Sequence, residues 1–256
     1  MSAESAKHCA SSSPMVNGDI TYVASRVLWD GFADQVANLV ETTAARDLGE
    51  LGGGANPTMS LLEGGNTGRS LTVLDVSSAE LAKAPDNVVK IEADLCAPEP
   101  PVSEAFDLLF SRMLCEHVTD GGAFHRNCFE ALRPGGLAVH FFPAATALPF
   151  ALNRAMPERA SQRLLEIAFP DRRQGGRHGK FPARYRWCWG PTGPQLDRYR
   201  SVGFELVSYQ VGLGHHYYDR IPMIRNLEWA KTALSLRYPS PWLAAYALVV
   251  LRRPTC

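Results

Sequence analysis

Net charge is the first thing this sequence lacks. Its 26 basic and 26 acidic side chains cancel, which removes the electrostatic case for nucleic acid as the main partner, because a polyanion selects a basic surface. Paired cysteines are missing too. Cys9, Cys96, Cys115, Cys128, Cys188 and Cys256 are scattered without a C-x-x-C pair. That argues against a zinc site or a disulfide framework and fits a reducing, cytoplasmic compartment. Long apolar runs are absent as well. The longest strongly apolar run, WLAAYALVVL, falls short of the roughly 20 residues a spanning helix needs, and MSAESAKHCASSSP at the N-terminus lacks the apolar core of a signal peptide. Stable membrane insertion is therefore not expected, while peripheral contact with a membrane stays open. What remains, 46% hydrophobic and 20% charged residues over 256 positions, suits one well-buried domain.

Residues 1–18 are rich in Ser and Ala and read as a disordered tail, with 19–256 as a single domain. From Ile20 to Thr43, apolar residues recur at roughly helical spacing and predict a helix or two short ones. Short apolar runs then alternate with helical stretches. A weak strand precedes ELGGGANP, which opens a helix; LTVLDVS, VVKIEADL, FDLLFS and GLAVHFF follow as strands, with a helix over Gly122–Leu132. Strands alternating with helices predict an α/β fold with a doubly wound, mostly parallel sheet. After Pro143 the rhythm breaks. Residues 144–195 hold glycines, prolines and a basic cluster, and read as an insertion covering the substrate side of the sheet. A helix over Gln195–Ser201 and the strands GFELVSYQVGL and AYALVVLRRP complete the sheet. Between them, Ile224, Leu227, Ala230 and Leu234 line one face of a helix and predict packing on the sheet.

The sharpest local feature is Glu50-Leu51-Gly52-Gly53-Gly54-Ala55-Asn56-Pro57. Consecutive glycines let the backbone turn tightly and approach a ligand, and a strand followed by a glycine turn is the nucleotide site of this fold class. The charges nearby choose the ligand. Glu50 stands before the glycines, Asp75 ends a strand at ribose-hydroxyl spacing, and Asp94 ends the next strand. Carboxylates repel a pyrophosphate and attract a sulfonium or an ammonium, so S-adenosylmethionine suits this site better than NAD.

ELGGGANP, VLDVS and IEADL, followed by FDLLFSRMLCEHV and LRPGGLAVHFF, resemble the class I (Rossmann-like) S-adenosylmethionine-dependent methyltransferases of the broad small-molecule group. The resemblance covers roughly residues 20–142 and implies a seven-stranded sheet with an insertion after the fifth strand. It implies that Glu50 orients the glycine loop or meets the methionine amine through water. Gly52, Gly53 and Gly54 would lie along the methionine moiety, and Asp75 would hold the ribose hydroxyls, with Val76 on the adenine. Asp94 would take the adenine amino group with Leu95 beside the ring, and Ser111 and Arg112 would approach the methionine portion by backbone or side chain. The strand before the glycines, Ala45-Arg46-Asp47-Leu48-Gly49, is less apolar than the family's usual run.

Methyl transfer is a direct substitution, so the protein supplies alignment and, for a hydroxyl acceptor, a base. His117 lies near the rim where cofactor and acceptor meet, and His215 and His216 leave the penultimate strand; each is a candidate base beside a plainer structural reading. His140, inside a strand, reads as a core histidine. Trp187 and Trp189 wall an acceptor pocket or anchor the insertion, and the basic run 172–186 meets an anion or is a solvated loop face. The expected activity is methyl transfer to a small-molecule acceptor of secondary-metabolite or glycolipid type. The alternatives are a cofactor-binding protein without methyl transfer, either cyclase-like or a binding module, and, less favoured, an NAD-dependent reductase.

Overall fold

The computed structural model describes residues 18–62, 68–146, 182–215 and 222–255. Eight strands form one sheet: β1 (Asp19–Ala24), β2 (Asp47–Leu51), β3 (Ser70–Asp75), β4 (Val89–Glu92), β5 (Phe106–Arg112), β6 (Leu132–Pro143), β7 (Glu205–Leu213) and β8 (Ala244–Arg252), in the order β1-β7-β8-β6-β5-β2-β3-β4. Only β8 runs antiparallel to its neighbours; every other pairing is parallel. The carboxyl ends of seven strands therefore share one rim. Chain order reverses between β2 and β5, which opens a crevice at that rim, the place where open α/β sheets bind ligands.

The α/β fold and its mostly parallel sheet follow the expectation, but the strand count does not. The segment predicted as helix from Ile20 divides into β1 and α1 (Ser25–Thr42). Thr21, Tyr22 and Val23 favour extended backbone, and β1 pairs in parallel with β7 as an additional edge strand. A second correction concerns the glycine turn. Among the described residues it opens no α-helix, only the short 3₁₀ turn Met59–Leu62.

The irregular composition of β2 has a packing reason. A side chain at Gly49 would run into Leu109 and the Phe106 ring. Asp47 sits at the amino edge, where Arg133 bridges it and Asp107 at 2.7 Å each. Helix α1 buries Leu28, Phe32, Val36 and Val40 against the sheet, each worth about 1.5–3 kcal/mol relative to exposure. On the other face lie α3 (Gly121–Ala131), capped by Asp120 accepting from the Gly122 and Ala123 amides, and α4 (Gly193–Val202). The short α2 (Ser78–Leu81) follows β3.

Helix α5 (Pro222–Arg237) packs beside β1 and β7, but not by the predicted face. Leu227, Ala230 and Leu234 are exposed, while Glu228 and Ser235 are buried and Arg225 and Thr232 half-buried. The polar row faces inward because it has partners there: Glu228 meets Lys231 at 2.7 Å and His215 at 3.5 Å. Ile224 is predicted on the same face, but its side chain lies outside the described residues, as do residues 1–17, 147–181 and His216. No described helix is long and apolar enough to cross a membrane.

Candidate functional site

The glycine turn is held from both sides. Gly52 and Gly54 adopt positive φ, 72° and 47°, a region that side chains disfavour. The Gly52 amide donates to the Leu74 carbonyl at 2.7 Å, which ties the turn to β3. A Cβ built on Gly53 would stand 3.0 Å from the Glu50 carboxyl carbon, and one on Gly54 would stand 3.2 Å from Asp75 Oδ2. Two successive glycines thus lie directly against the two carboxylates. Neither position has room for a larger residue.

Glu50 is buried, and Thr58 satisfies it: the Thr58 amide donates to Oε2 at 2.7 Å and the hydroxyl to Oε1 at 2.9 Å. Burial raises the Glu50 pKa, and the two Thr58 bonds oppose that rise. Charge-assisted bonds of this kind contribute about 1.5–3 kcal/mol each. Glu50 therefore closes the loop between Gly52 and Thr58 onto β2. Asp75, half-buried at the end of β3, accepts the Ser77 amide at 2.9 Å. Asp94, exposed after β4, accepts the Cys96 amide at 2.8 Å in the same manner. These local turns fix the rotamers of both carboxylates before any ligand arrives. Val76 is 61% exposed beside Asp75, and Leu95 packs against the core with part of its surface open.

Ser111 and Arg112 diverge at the end of β5. The Ser111 hydroxyl is buried on His140 Nδ1 at 2.8 Å, leaving its backbone toward the rim. Arg112 is exposed on the opposite face. Its guanidinium lies 4.9 Å above the Trp29 ring and donates to the Trp29 carbonyl at 3.2 Å. Met113 follows at φ 56°, a strained turn for a non-glycine residue. That turn lays Leu114 over Gly52.

The histidines separate. His117 contacts the Pro182 carbonyl at 3.4 Å and Glu116 at 3.6 Å, joining the β5 loop to the returning chain. His215 is buried on Glu228 just past the carboxyl end of β7. His140 and His125 are buried beneath the rim, and desolvation holds both below the usual imidazole range, His125 at about 4. Trp187 stacks on His125 at 5.2 Å and packs against Gly121, so it anchors the chain to α3. Sequence reasoning missed Thr58, Trp29 and Glu116. The last is a buried carboxyl whose Oε2 has no protein partner, pushed by burial up to about 8. Its visible signal was an acid set between Cys115 and Val118, both buried.

Residues 49–140 match the family described as "Methyltransferase domain", the segment that holds the glycine turn and all three carboxylates. Similar solved structures include the [4+2]-cyclase SpnF, at 18% identity and TM-score 0.51 over 95% of this chain and 89% of that one. An S-adenosylmethionine-dependent methyltransferase from Mesorhizobium loti is similar at 20% identity and TM-score 0.51, over 86% of this chain and all of that one (100%). Phosphoethanolamine N-methyltransferase 2 of Haemonchus contortus, in complex with S-adenosyl-L-methionine, is similar at 15% identity and TM-score 0.50, over 86% of this chain and 52% of that one. No curated protein matches the chain significantly.

Proposed function

From a class I, S-adenosylmethionine-dependent methyltransferase domain, we propose an enzyme that moves the methyl group of S-adenosylmethionine to a small-molecule acceptor of secondary-metabolite or glycolipid type. One observation carries this reading: a glycine turn pressed against Glu50 and Asp75, with Asp94 in line on the next strand end. The donor set fits the cofactor. A cationic, phosphate-free ligand with ribose hydroxyls and an adenine amine is what Asp75, Asp94 and an exposed Val76 recognise, with Glu50 holding the turn between them.

In this reading, Asp75 accepts from the ribose hydroxyls and Asp94 from the adenine amine, while Val76 and Leu95 flank the ring. Gly52, Gly53 and Gly54 line the methionine portion. Glu50 keeps the turn closed through Thr58, and the Ser111 backbone with the Arg112 guanidinium takes the methionine carboxylate. The bound cofactor supplies an electrophilic methyl group on a sulfonium. The chain's part is to align the acceptor against it and, for a hydroxyl, to hold a base at the rim. His117 and His215 are the described candidates for that base, and His216 follows in sequence.

A second reading is cofactor binding without methyl transfer, favoured by the fold likeness to a cyclase. Incubation with methyl-labelled S-adenosylmethionine and candidate acceptors separates the two. Acceptor-dependent release of S-adenosylhomocysteine is expected. Tight cofactor binding with no such release across the acceptor panel would replace the first reading by the second.

A further inference from the structure

Helix α5 is inside out. The row Arg225, Glu228, Thr232 and Ser235 faces the protein, and Leu227, Ala230, Leu234 and Tyr238, spaced i, i+3, i+7 and i+11, form an apolar stripe outside. Leu227 is 71% exposed, Leu234 60% and Tyr238 64%, with Trp229 at 59% beside Arg225. The turn after it continues the surface with Trp242 at 61% and Leu243 at 49%. Isolated exposed apolar residues need no explanation, but a contiguous set marks a docking face. The helix does not simply roll over to hide it. Glu228 is held by Lys231 and His215, the Thr232 hydroxyl donates back to the Glu228 carbonyl at 2.8 Å, and Thr232 is pressed onto Gly214. The inner row fixes the orientation and so fixes the exposure.

The charges say what the face meets. Between Pro222 and Leu243 the sequence holds Arg225, Lys231 and Arg237 against one acid, the buried Glu228. Arg225 lies in the inner row, while Lys231 and Arg237 are exposed, the Arg237 guanidinium 5.8 Å from the Tyr238 ring. Exposed cations beside Tyr238, with Trp229 and Trp242 exposed nearby, match the headgroup level of a bilayer, where aromatic rings sit at the polar boundary and lysine and arginine reach outward to phosphate. A second copy of this chain fits less well. A two-fold interface sets each patch against itself, which brings cations to cations with no acid to receive them. We propose that α5 and the Pro241–Leu243 turn seat the protein on an anionic lipid surface. Because Glu228 of α5 touches His215 at the rim, the surface lies beside the acceptor side of the sheet.

The test is co-sedimentation of the full chain with vesicles of phosphatidylcholine alone and of phosphatidylcholine containing a third phosphatidylglycerol. The wild type is expected to pellet with the anionic vesicles, and to be released by salt. Arg237→Glu and Leu227→Ser/Leu234→Ser should each lower the bound fraction about tenfold, from lost headgroup attraction and lost apolar burial respectively. Melting temperature and S-adenosylmethionine affinity, measured by calorimetry on the same variants, should stay at wild-type values, which separates failure at this surface from failure at the cofactor site. Three results overturn the proposal: no pelleting with anionic vesicles, equal pelleting with neutral ones, or pelleting unchanged by both Arg237→Glu and Leu227→Ser/Leu234→Ser. A dimer in solution that Leu227→Ser/Leu234→Ser dissociates, without vesicle binding, overturns it in favour of a second copy.

Discussion

The two halves of the carboxyl rim are built by different means. Around β2, β3 and β4, each strand-end carboxylate is fixed by its own neighbourhood: Asp75 by the amide two residues on, Asp94 likewise, and Glu50 by Thr58 eight residues on. Around β5, β6 and β7, the contacts span the chain. Arg112 is 83 residues from Trp29, His117 is 65 from Pro182, and Ser111 is 29 from His140. The first half is organised wherever its strands form. The second exists only once remote segments have docked. Such a division lets acceptor chemistry vary while the cofactor grip stays constant, because substitutions in one half share few partners with the other.

The division fails most visibly if the cofactor half does not bind cofactor by itself. Asp75→Ala removes the acceptor proposed for two ribose hydroxyls, and S-adenosylmethionine affinity is expected to fall about 100-fold, the loss of two hydrogen bonds to a charged group. The melting temperature without ligand should hardly move, since Asp75 is half-buried and, among the described residues, serves the Ser77 amide. Calorimetric titration checks both. Unchanged affinity removes Asp75 from the site and with it the alignment of its neighbours.

Arg112 stands on the border and sharpens where it runs. Arg112→Met keeps an aliphatic contact with Trp29 but deletes the guanidinium. S-adenosylhomocysteine should then bind about tenfold more weakly, in keeping with one exposed charge-assisted contact. Binding of 5′-methylthioadenosine, which lacks the amino-acid portion, should be the same in both proteins. A parallel loss for the two ligands would assign Arg112 to the acceptor half instead.

The same division explains what the sequence made legible. Glycines, strand-end carboxylates and apolar runs are local signals, so the sheet, the turn and the three acids could be read from residues near one another. Thr58 could not, because its value depends on the turn bringing it back to Glu50. Trp29 sits on a helix whose apolar spacing says nothing of Arg112, more than eighty positions away. Helix α5 misled for a further reason. Amphipathic spacing identifies a face but not its direction, and the usual rule of apolar side inward yielded to Glu228 and Thr232, whose partners lie just past β7's end and on the helix itself. The edge strand β1 was masked by the run of helical spacing that α1 continues.

Glu116 offers a smaller test, at the floor of the acceptor half. Its ordinary carboxyl pKa is 4.5 and burial pushes it up to about 8. Between those values the unfolded chain releases a proton that the folded chain keeps, so rising pH favours unfolding across that window and has no further effect above it. His125 works with the opposite sign. Its pKa falls from 6.5 to about 4 by burial, so folding is favoured as pH rises from the lower value to the upper. From pH 4.5 to 6.5 the two effects oppose each other, and from 6.5 to 8 Glu116 acts alone. Wild-type melting temperature should therefore decline over that upper interval. Glu116→Gln removes the titration, and its curve should be flat there, with the gap above wild type widening as pH rises and reaching several degrees near pH 8. Near pH 4.5, where the folded wild type keeps the Glu116 proton, the two proteins should melt together. A constant offset at every pH would mean that the substituted amide merely packs differently. Parallel declines would place Glu116 in contact with water, not in the dry floor that its burial describes.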